Sequence, residues 1–505
     1  MKLPQVSQNN LPKGRILFVH PPYVHYSQLS TGAPFLRDPS PFLPVAPLYA
    51  GALLEELGQG HVEYFDGQLH DLSQKTDFDE YDEIAIAVMG AQNVAPAFET
   101  FRHVTKFVPP ERVSLGGQAA ESLSRAEFDT LFSGARQVSR TSLDRGEHAY
   151  HVTVGKQLDK FPEDDVMTYL TSELTLPFSQ GCIFGCNFCG AQTRQKERFF
   201  DTGSNLEGFA VRAKARGIDE LSFYCTSLDF FQQALKGGDL QKLTQRLEHI
   251  IAVRERTGVN FRLRALTRAD SYVAAMGVEG LFDLVREAGF HTFGFGADGA
   301  ASTTLLRVMK RGSDELGSDL LRAFAHAEEN GLVPEILYVF GIPEDTTETL
   351  NETKALCVGL LSEFPHSIYR GFPAKNEIPG NRNWRKPGWL DSATYRTLLS
   401  DPRLFANLGF EALANEISHP DPEQRKLVNR YAVEMSHAAH SMGRVLSYLT
   451  VPVPVAEQPA FMDAGAFELF HDIVNRYAPQ IASELTIDNI ADLRGPLNEL
   501  IPKDK

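Results

Sequence analysis

Short apolar blocks alternate with amphipathic stretches over most of this chain, a pattern that predicts parallel strands joined by helices. Arg15-Ile-Leu-Phe-Val-His-Pro-Pro22 is a continuous apolar run stopped by two prolines, as expected of a strand buried on both faces that ends in a loop. Leu48 to Leu57 reads as a helix closed by Gly58, and further strands are predicted at Val62 to Asp66, Glu83 to Met89 and Arg112 to Gly117. This order indicates a doubly wound, Rossmann-like sheet, whose ligands bind beyond the carboxyl ends of the strands. From Leu174 the strand-then-helix pattern returns, with strands predicted at Leu174 to Ser179, Glu220 to Cys225, Asn260 to Leu266, Thr292 to Ala297, Glu335 to Phe340 and Ser367 to Phe372. These strands suggest a partial (β/α)6, TIM-like barrel, covered outside by amphipathic segments such as Leu240 to Arg256 and Leu281 to Gly289. Beyond Pro387 the chain reads as helices separated by Pro420, Pro452, Pro454 and Pro479. In the long helical candidate Leu427 to Leu449, His437 and His440 share a face. A half-buried face and a metal or acid-base role are the alternatives there. The expected α/β organisation is a Rossmann-like domain over 1–150, a partial barrel over 151–386 and a helical C-terminal region over 387–505.

At 505 residues the chain has room for two or three domains, and its 43% hydrophobic and 23% charged residues are ordinary for a soluble globular enzyme. Neither a signal-like apolar run at the N-terminus nor a stretch long enough to span a membrane is seen, so the expected location is cytoplasmic, with no membrane partner. A formal charge of -16 argues against nucleic acid, because phosphate binding requires basic surface.

The chemistry concentrates in Ser179-Gln-Gly-Cys-Ile-Phe-Gly-Cys-Asn-Phe-Cys-Gly190. Cysteine thiolates are the usual ligands of iron-sulfur clusters. Three of them, Cys182, Cys186 and Cys189, serve three irons of a 4Fe-4S cluster and leave one open to a ligand. The competing reading is structural zinc, which needs a fourth protein ligand. No histidine lies in the loop, and only Cys225 and Cys357 remain elsewhere. Gly181, Gly185 and Gly190 suit a loop wrapped around a bulky inorganic core, or a set of simple turns.

The triplet spacing, with Phe188 before the last cysteine, resembles the cluster loop of the radical S-adenosylmethionine superfamily. The resemblance implies that the open iron takes the amino and carboxylate groups of S-adenosylmethionine, which is cleaved to a 5'-deoxyadenosyl radical. It extends over roughly residues 15 to 385 by the order of matching segments. Gly294-Phe-Gly-Ala-Asp-Gly299, followed by Met309-Lys-Arg-Gly312, is similar to the fourth-strand region, with Asp298 where a Glu is usual. Phe340-Gly-Ile-Pro-Glu-Asp-Thr346 resembles a segment that lines the adenine pocket, which implicates Gly341, Ile342 and Pro343, and Pro379-Gly380 resembles a turn beyond the sixth strand. The acidic residues that often end the second strand are replaced by Phe223-Tyr-Cys-Thr-Ser-Leu-Asp229, so Thr226, Ser227 or Asp229 is expected to hold the methionyl amino group. Arg264 is a candidate for the methionyl carboxylate, with a barrel salt bridge as the alternative. Cys225, ending a strand near the expected substrate, is a candidate catalytic hydrogen donor or a small buried hydrophobe.

The first domain resembles the cobalamin-binding domain that precedes many of these enzymes. The resemblance rests on His20-Pro21-Pro22 after the first strand, Pro47-Leu-Tyr49 opening the first helix and Gly116-Gly117 after the fourth strand; Ala87-x-Met89 stands where Ser-x-Leu is common. It implies cobalamin contacts at His20, Pro21, Pro22, Met89, Gly116 and Gly117. Asp-x-His-x-x-Gly, the motif whose histidine binds cobalt in many cobalamin proteins, does not occur.

The family resemblance implies a cobalamin-dependent radical S-adenosylmethionine enzyme, and specifically a C-methyltransferase acting on a small-molecule intermediate of a specialised biosynthetic pathway. Rearrangement, cyclisation or oxidation without methyl transfer is the alternative, and a non-catalytic cobalamin or iron-sulfur protein is a third reading. The expected partners are the small-molecule substrate and an electron donor such as flavodoxin or ferredoxin, with Arg194, Lys196 and Arg198 past the cysteines as a docking face or a solvated helix face. The C-terminal helices would cover the substrate pocket and keep a carbon radical from solvent.

Overall fold

The apolar run that opens the chain folds as β1 (Gly14–His20), whose alternate residues enter two different cores: Leu17 and Val19 on one face, Ile16 and Phe18 on the other. Burial on both faces is why the run lacks the polar alternation of a half-exposed strand. In this computed structural model the described residues are 14–22, 43–138, 152–184, 186, 189, 197–300, 315–342, 344–373, 393–408, 413–414, 416, 418–419, 421–444, 463–477, 479–483 and 485–486. β1 is joined by β2 (Gly60–Asp66), β3 (Glu83–Ala87), β4 (Val113–Gly116) and β5 (Arg136–Val138) in a parallel sheet of order β2-β1-β3-β4-β5. Connections leave β1 in opposite directions, which opens a crevice beyond the carboxyl ends of β1 and β3. The fifth strand escaped the sequence pattern because it is three residues long and only half-buried.

Next come β6 (Glu173–Pro177) and a short antiparallel pair, β7 (Ser179–Gln180) with β8 (Arg198–Phe199). The remaining strands are β9 (Glu220–Thr226), β10 (Asn260–Thr267), β11 (Phe290–Gly296), β12 (Val333–Phe340) and β13 (Ile368–Pro373). β6 and β9 to β13 form one parallel sheet in sequence order, the six strands of a partial barrel. Their helix-facing side chains, among them Leu176, Phe223, Leu263 and Phe293, pack on Leu243, Leu247 and Ile250 of the helix Leu240–Thr257 and on its neighbours.

Several contacts lock the first sheet to the barrel. Tyr64 stacks on Phe161 with ring centroids 5.3 Å apart and donates to Gln157 at 2.9 Å. His70 meets Asp165 at 2.7 Å, and Leu48 is part of the barrel core. The C-terminal stretch divides between the two bodies. Leu398 of the helix Ala393–Ser400 and Phe405 just after it complete the core of the first domain. The helix Pro422–Ser441 instead packs Val428, Tyr431 and Met435 into the barrel core, with Phe340 and Tyr431 ring centroids 4.8 Å apart. His437 bonds Asp472 at 2.7 Å, and burial pushes His440 down to about 4. No helix among the described residues is long and apolar enough to cross a membrane.

Candidate active site

The cysteine loop leaves the barrel mouth directly after β6. Its ends are drawn together by the pairing of Ser179 with Phe199 and of Gln180 with Arg198. Gln232 clamps its start: Nε2 donates to the Gly181 carbonyl at 3.2 Å, and Oε1 accepts from the Ile183 amide at 3.3 Å. The Arg268 guanidinium, beyond the end of β10, lies 3.7 Å from the Phe184 ring centroid and is itself held by Asp270 at 2.9 and 2.7 Å. Cys182 is buried, whereas Cys186 and Cys189 are half-exposed. Burial pushes the Cys182 thiol up to about 12, with the Asp229 carboxylate and the other two thiols adding to the shift. Such a thiol ionises only against a bound cation. Three thiol donors, Cys182, Cys186 and Cys189, on one loop fit an iron-sulfur cluster, in which each thiolate binds a different iron.

Glu197, buried where the loop returns to β8, escaped the sequence reading because no local pattern marks an acid whose partners come from distant segments. Gln233 Nε2 donates to it at 2.7 Å. Burial pushes its carboxyl up to about 7, against hydrogen bonds from Ser179, Gln233 and Gln232 that pull it down. A carboxyl that holds its proton more tightly folded than unfolded stabilises the fold fully below the unfolded value of 4.5, and that contribution is lost as pH rises to about 7. Glu197→Gln in the apoprotein is thus expected to gain about 2–3 kcal/mol at pH 8 and little near pH 4.5. Urea midpoints at the two pH values check this, and an equal shift at both contradicts it.

Strand parity sorts the barrel residues. On β9, Leu221, Phe223 and Cys225 are fully buried toward the helices, while Ser222, Tyr224 and Thr226 face the lumen. Cys225 pairs in register with Leu176 and Ala265, both fully buried, and burial drives its thiol pKa far up. The expected catalytic role for Cys225 is therefore corrected: it is a core residue turned away from the lumen. Arg264 does face the lumen, but its Nε and Nη2 donate to Glu335 at 2.8 and 2.9 Å. Its bidentate edge is used inside the barrel, so the salt-bridge alternative describes it. Glu335 is completely buried and also meets Arg370 Nε at 3.2 Å. Asp229 accepts from Thr267, Ser271 and the Arg268 amide, and so caps the start of the helix Ala269–Met276. It is not available to an amino group.

Thr226 and Ser227 are brought to the foot of the cysteine loop. Thr226 Oγ1 accepts from the Phe178 amide at 3.3 Å, and the hydroxyls of Ser227 and Ser179 are 3.0 Å apart. Asp298 is buried at the top of β11 and accepts from the Val339 amide at 2.7 Å. Gly341 follows β12 with φ +82°. Its amide and that of Ile342 donate to Asp345 at 2.6 and 3.1 Å, while its carbonyl accepts from His419 at 2.7 Å. Phe188, Pro343, Arg194, Lys196, the segment Met309 to Gly312 and Pro379-Gly380 lie outside the described residues.

At the edge of the first sheet, His20 ends β1, Pro21 is buried behind it, and Pro22 packs against the turn at Gly67. Gly117 has φ +116°, and a Cβ there would meet the Val88 carbonyl oxygen at 2.6 Å and the Met89 sulfur at 3.2 Å. Met89 is 38% exposed, and Gly116 accepts from the Val88 amide. The glycine at 117 is thus required by its own neighbours, and the Met89 thioether beside it is left exposed at the carboxyl edge of the sheet. Exposed Ile183 and Leu228 leave similar apolar surface at the barrel mouth.

A doubly wound sheet followed by a partial barrel, with three cysteines on the loop after the first barrel strand, is the arrangement that carries the resemblance to cobalamin-binding-domain-containing radical S-adenosylmethionine enzymes. The chain resembles these enzymes in both sequence and fold. No family model matches it. It is 24% identical over 389 residues to the anaerobic magnesium-protoporphyrin IX monomethyl ester cyclase of Rubrivivax gelatinosus, a match that covers 67% of this chain and 64% of that protein. Its fold is similar to that of the radical S-adenosylmethionine methyltransferase TsrM from Kitasatospora setae with cobalamin and a 4Fe-4S cluster bound. That likeness has a TM-score of 0.55 at 16% identity over 74% of each chain. The same methyltransferase with tryptophan substrate and the analogue aza-SAM bound gives a TM-score of 0.50 at 15% identity, over 73% of this chain and 74% of that one.

Proposed function

We propose that this protein is a cobalamin-dependent radical S-adenosylmethionine C-methyltransferase acting on a small-molecule intermediate of a specialised biosynthetic pathway. The observation that carries the reading is the three-cysteine loop clamped at the mouth of a partial barrel that is itself locked to a doubly wound domain. Cys182, Cys186 and Cys189 hold the 4Fe-4S cluster, while Gln232 and Arg268 fix the loop that carries them. Thr226 and Ser227 stand beside the methionyl end of S-adenosylmethionine, and Asp298, Gly341 and Ile342 beside its adenosyl end, with Phe188 and Pro343 extending these contacts. His20, Pro21, Pro22, Met89, Gly116 and Gly117 receive cobalamin. When bound, the cluster supplies the electron that cleaves S-adenosylmethionine and cobalamin carries the methyl group. The fold's own contribution is to hold the reacting partners in a fixed relation and to exclude water, with the C-terminal helices closing the pocket. Flavodoxin or ferredoxin is the proposed reductant, docking near Arg198.

The test is anaerobic purification with iron, sulfide and cobalamin supplied, followed by reduction with S-adenosylmethionine present. Four irons and one cobalt per chain, with both S-adenosylhomocysteine and 5'-deoxyadenosine released, is the expected result. Absence of cobalt overturns the methyltransferase reading, and absence of both nucleosides leaves a non-catalytic cofactor protein. Cyclisation or oxidation without methyl transfer is the second reading, favoured by the sequence match to a cyclase. Release of 5'-deoxyadenosine alone would support it.

A further inference from the structure

The sequence lacks the motif whose histidine binds cobalt in many cobalamin proteins, yet a histidine stands at the crevice where a corrin would lie. His20 ends β1 at the switch point between β1 and β3. Its Nδ1 lies 3.1 Å from Asp66 Oδ1, and the Asp66 side chain is only 1% exposed. Asp66 is fixed in turn by the Gln68 amide at 2.9 Å and by the Tyr169 hydroxyl. Gln68 Nε2 also approaches Nδ1, at 3.1 Å. A lone pair on Nδ1 would face the lone pairs of the carboxylate, so the proton belongs on Nδ1 and the lone pair on Nε2. Among the described residues Nε2 has no partner, whereas a histidine buried only for packing normally uses both nitrogens.

The other histidines described in this domain are excluded by position. His61 is exposed near the opposite end of β2. His70 gives its Nε2 to Asp165 at 2.7 Å, and His103 gives its Nε2 to the Lys75 carbonyl at 3.0 Å. A histidine with a carboxylate on one ring nitrogen and the other nitrogen open is the usual arrangement of a metal-ligating histidine.

We propose that His20 Nε2 is the protein's axial ligand to the cobalt, with Asp66 as the positioning residue that sets its tautomer and ring orientation. The proposal rests on the cobalamin reading above and adds to it a ligand that the missing motif does not provide. The probe is cob(II)inamide, which lacks the nucleotide base of cobalamin, so any nitrogen on its cobalt comes from the protein. The full chain is loaded anaerobically and its electron paramagnetic resonance spectrum recorded with natural and with 15N-labelled histidine. The expected spectrum shows cobalt lines split into triplets with natural histidine and into doublets with the label. The splitting disappears in His20→Ala and persists in a His61→Ala control. His20→Gln keeps the bulk and polarity of the site should the alanine variant not fold. Asp66→Asn is expected to keep the splitting and weaken cobinamide binding about 10- to 100-fold. An unsplit spectrum from the unaltered chain, splitting insensitive to the label, or splitting that survives loss of His20 overturns the proposal. If the chain binds neither cobinamide nor cobalamin, the cobalamin reading itself falls.

Discussion

Alanine in place of Cys182, Cys186 and Cys189 together is expected to give a chain that folds, carries only background iron and releases no 5'-deoxyadenosine from S-adenosylmethionine. The loop's position does not depend on sulfur. It is set by the Ser179 to Phe199 and Gln180 to Arg198 pairing, by Gln232 on the Gly181 and Ile183 backbone, and by Arg268 against Phe184. Two of the cysteines are half-exposed, so only Cys182 contributes appreciable packing, at a cost of about 1 kcal/mol. The effect on chemistry is all-or-none because the thiolates are the cluster's only protein ligands in this reading. Iron and sulfide analysis, circular dichroism and chromatography of the nucleoside products measure the three consequences separately. Cleavage of S-adenosylmethionine at the rate of the unaltered protein would remove the cluster from this loop.

Glu335→Gln is expected to be the most damaging single substitution in the barrel. Glu335 is wholly buried between Arg264, which grips it with two hydrogen bonds, and Arg370. On β11 between the two partners, Gly294 has no side chain, and Leu266 and Leu337 close over it from either flank. Neutralising the acid leaves two guanidinium groups facing each other in the lumen with no counter-charge from Glu335. Breaking a buried pair on one side costs about 3–5 kcal/mol. The urea midpoint should fall accordingly, and Glu335→Gln combined with Arg370→Met should recover part of the loss by removing one of the opposed cations. A Glu335→Gln variant as stable as the parent would show that the lumen is too wet for the charges to matter.

The two parallel sheets were legible because β1 and the barrel strands are short apolar runs between amphipathic segments, and the cysteine spacing named its own chemistry. Cys225 shows what a closer reading of parity supplies. Leu221, Phe223 and Cys225 alternate with Ser222, Tyr224 and Thr226, so the thiol shares the apolar face and not the lumen. A barrel salt bridge was one of two readings of Arg264, but its partner lies on β12, and only the register of two successive strand pairs brings Glu335 across to it. Asp229 was a candidate for an amino group because its three donors, at the end of β10 and just past it, lie far along the chain. The helix Ala393–Ser400 carries an apolar face, but periodicity says only that the face is covered and not by which domain.

The return of the chain to its own beginning has a consequence for synthesis. Leu398 and Phe405 complete a core built from Val94, Phe101, Phe128 and Phe132, roughly 270 to 310 residues earlier. At about 5–20 residues per second, some tens of seconds separate emergence of the first domain's helices from emergence of the segment that seals them. During that interval a nascent chain displays an aromatic-rich surface beside the ribosome. A chain cut short before residue 393 is therefore expected to leave this apolar surface uncovered and open to contact with other chains.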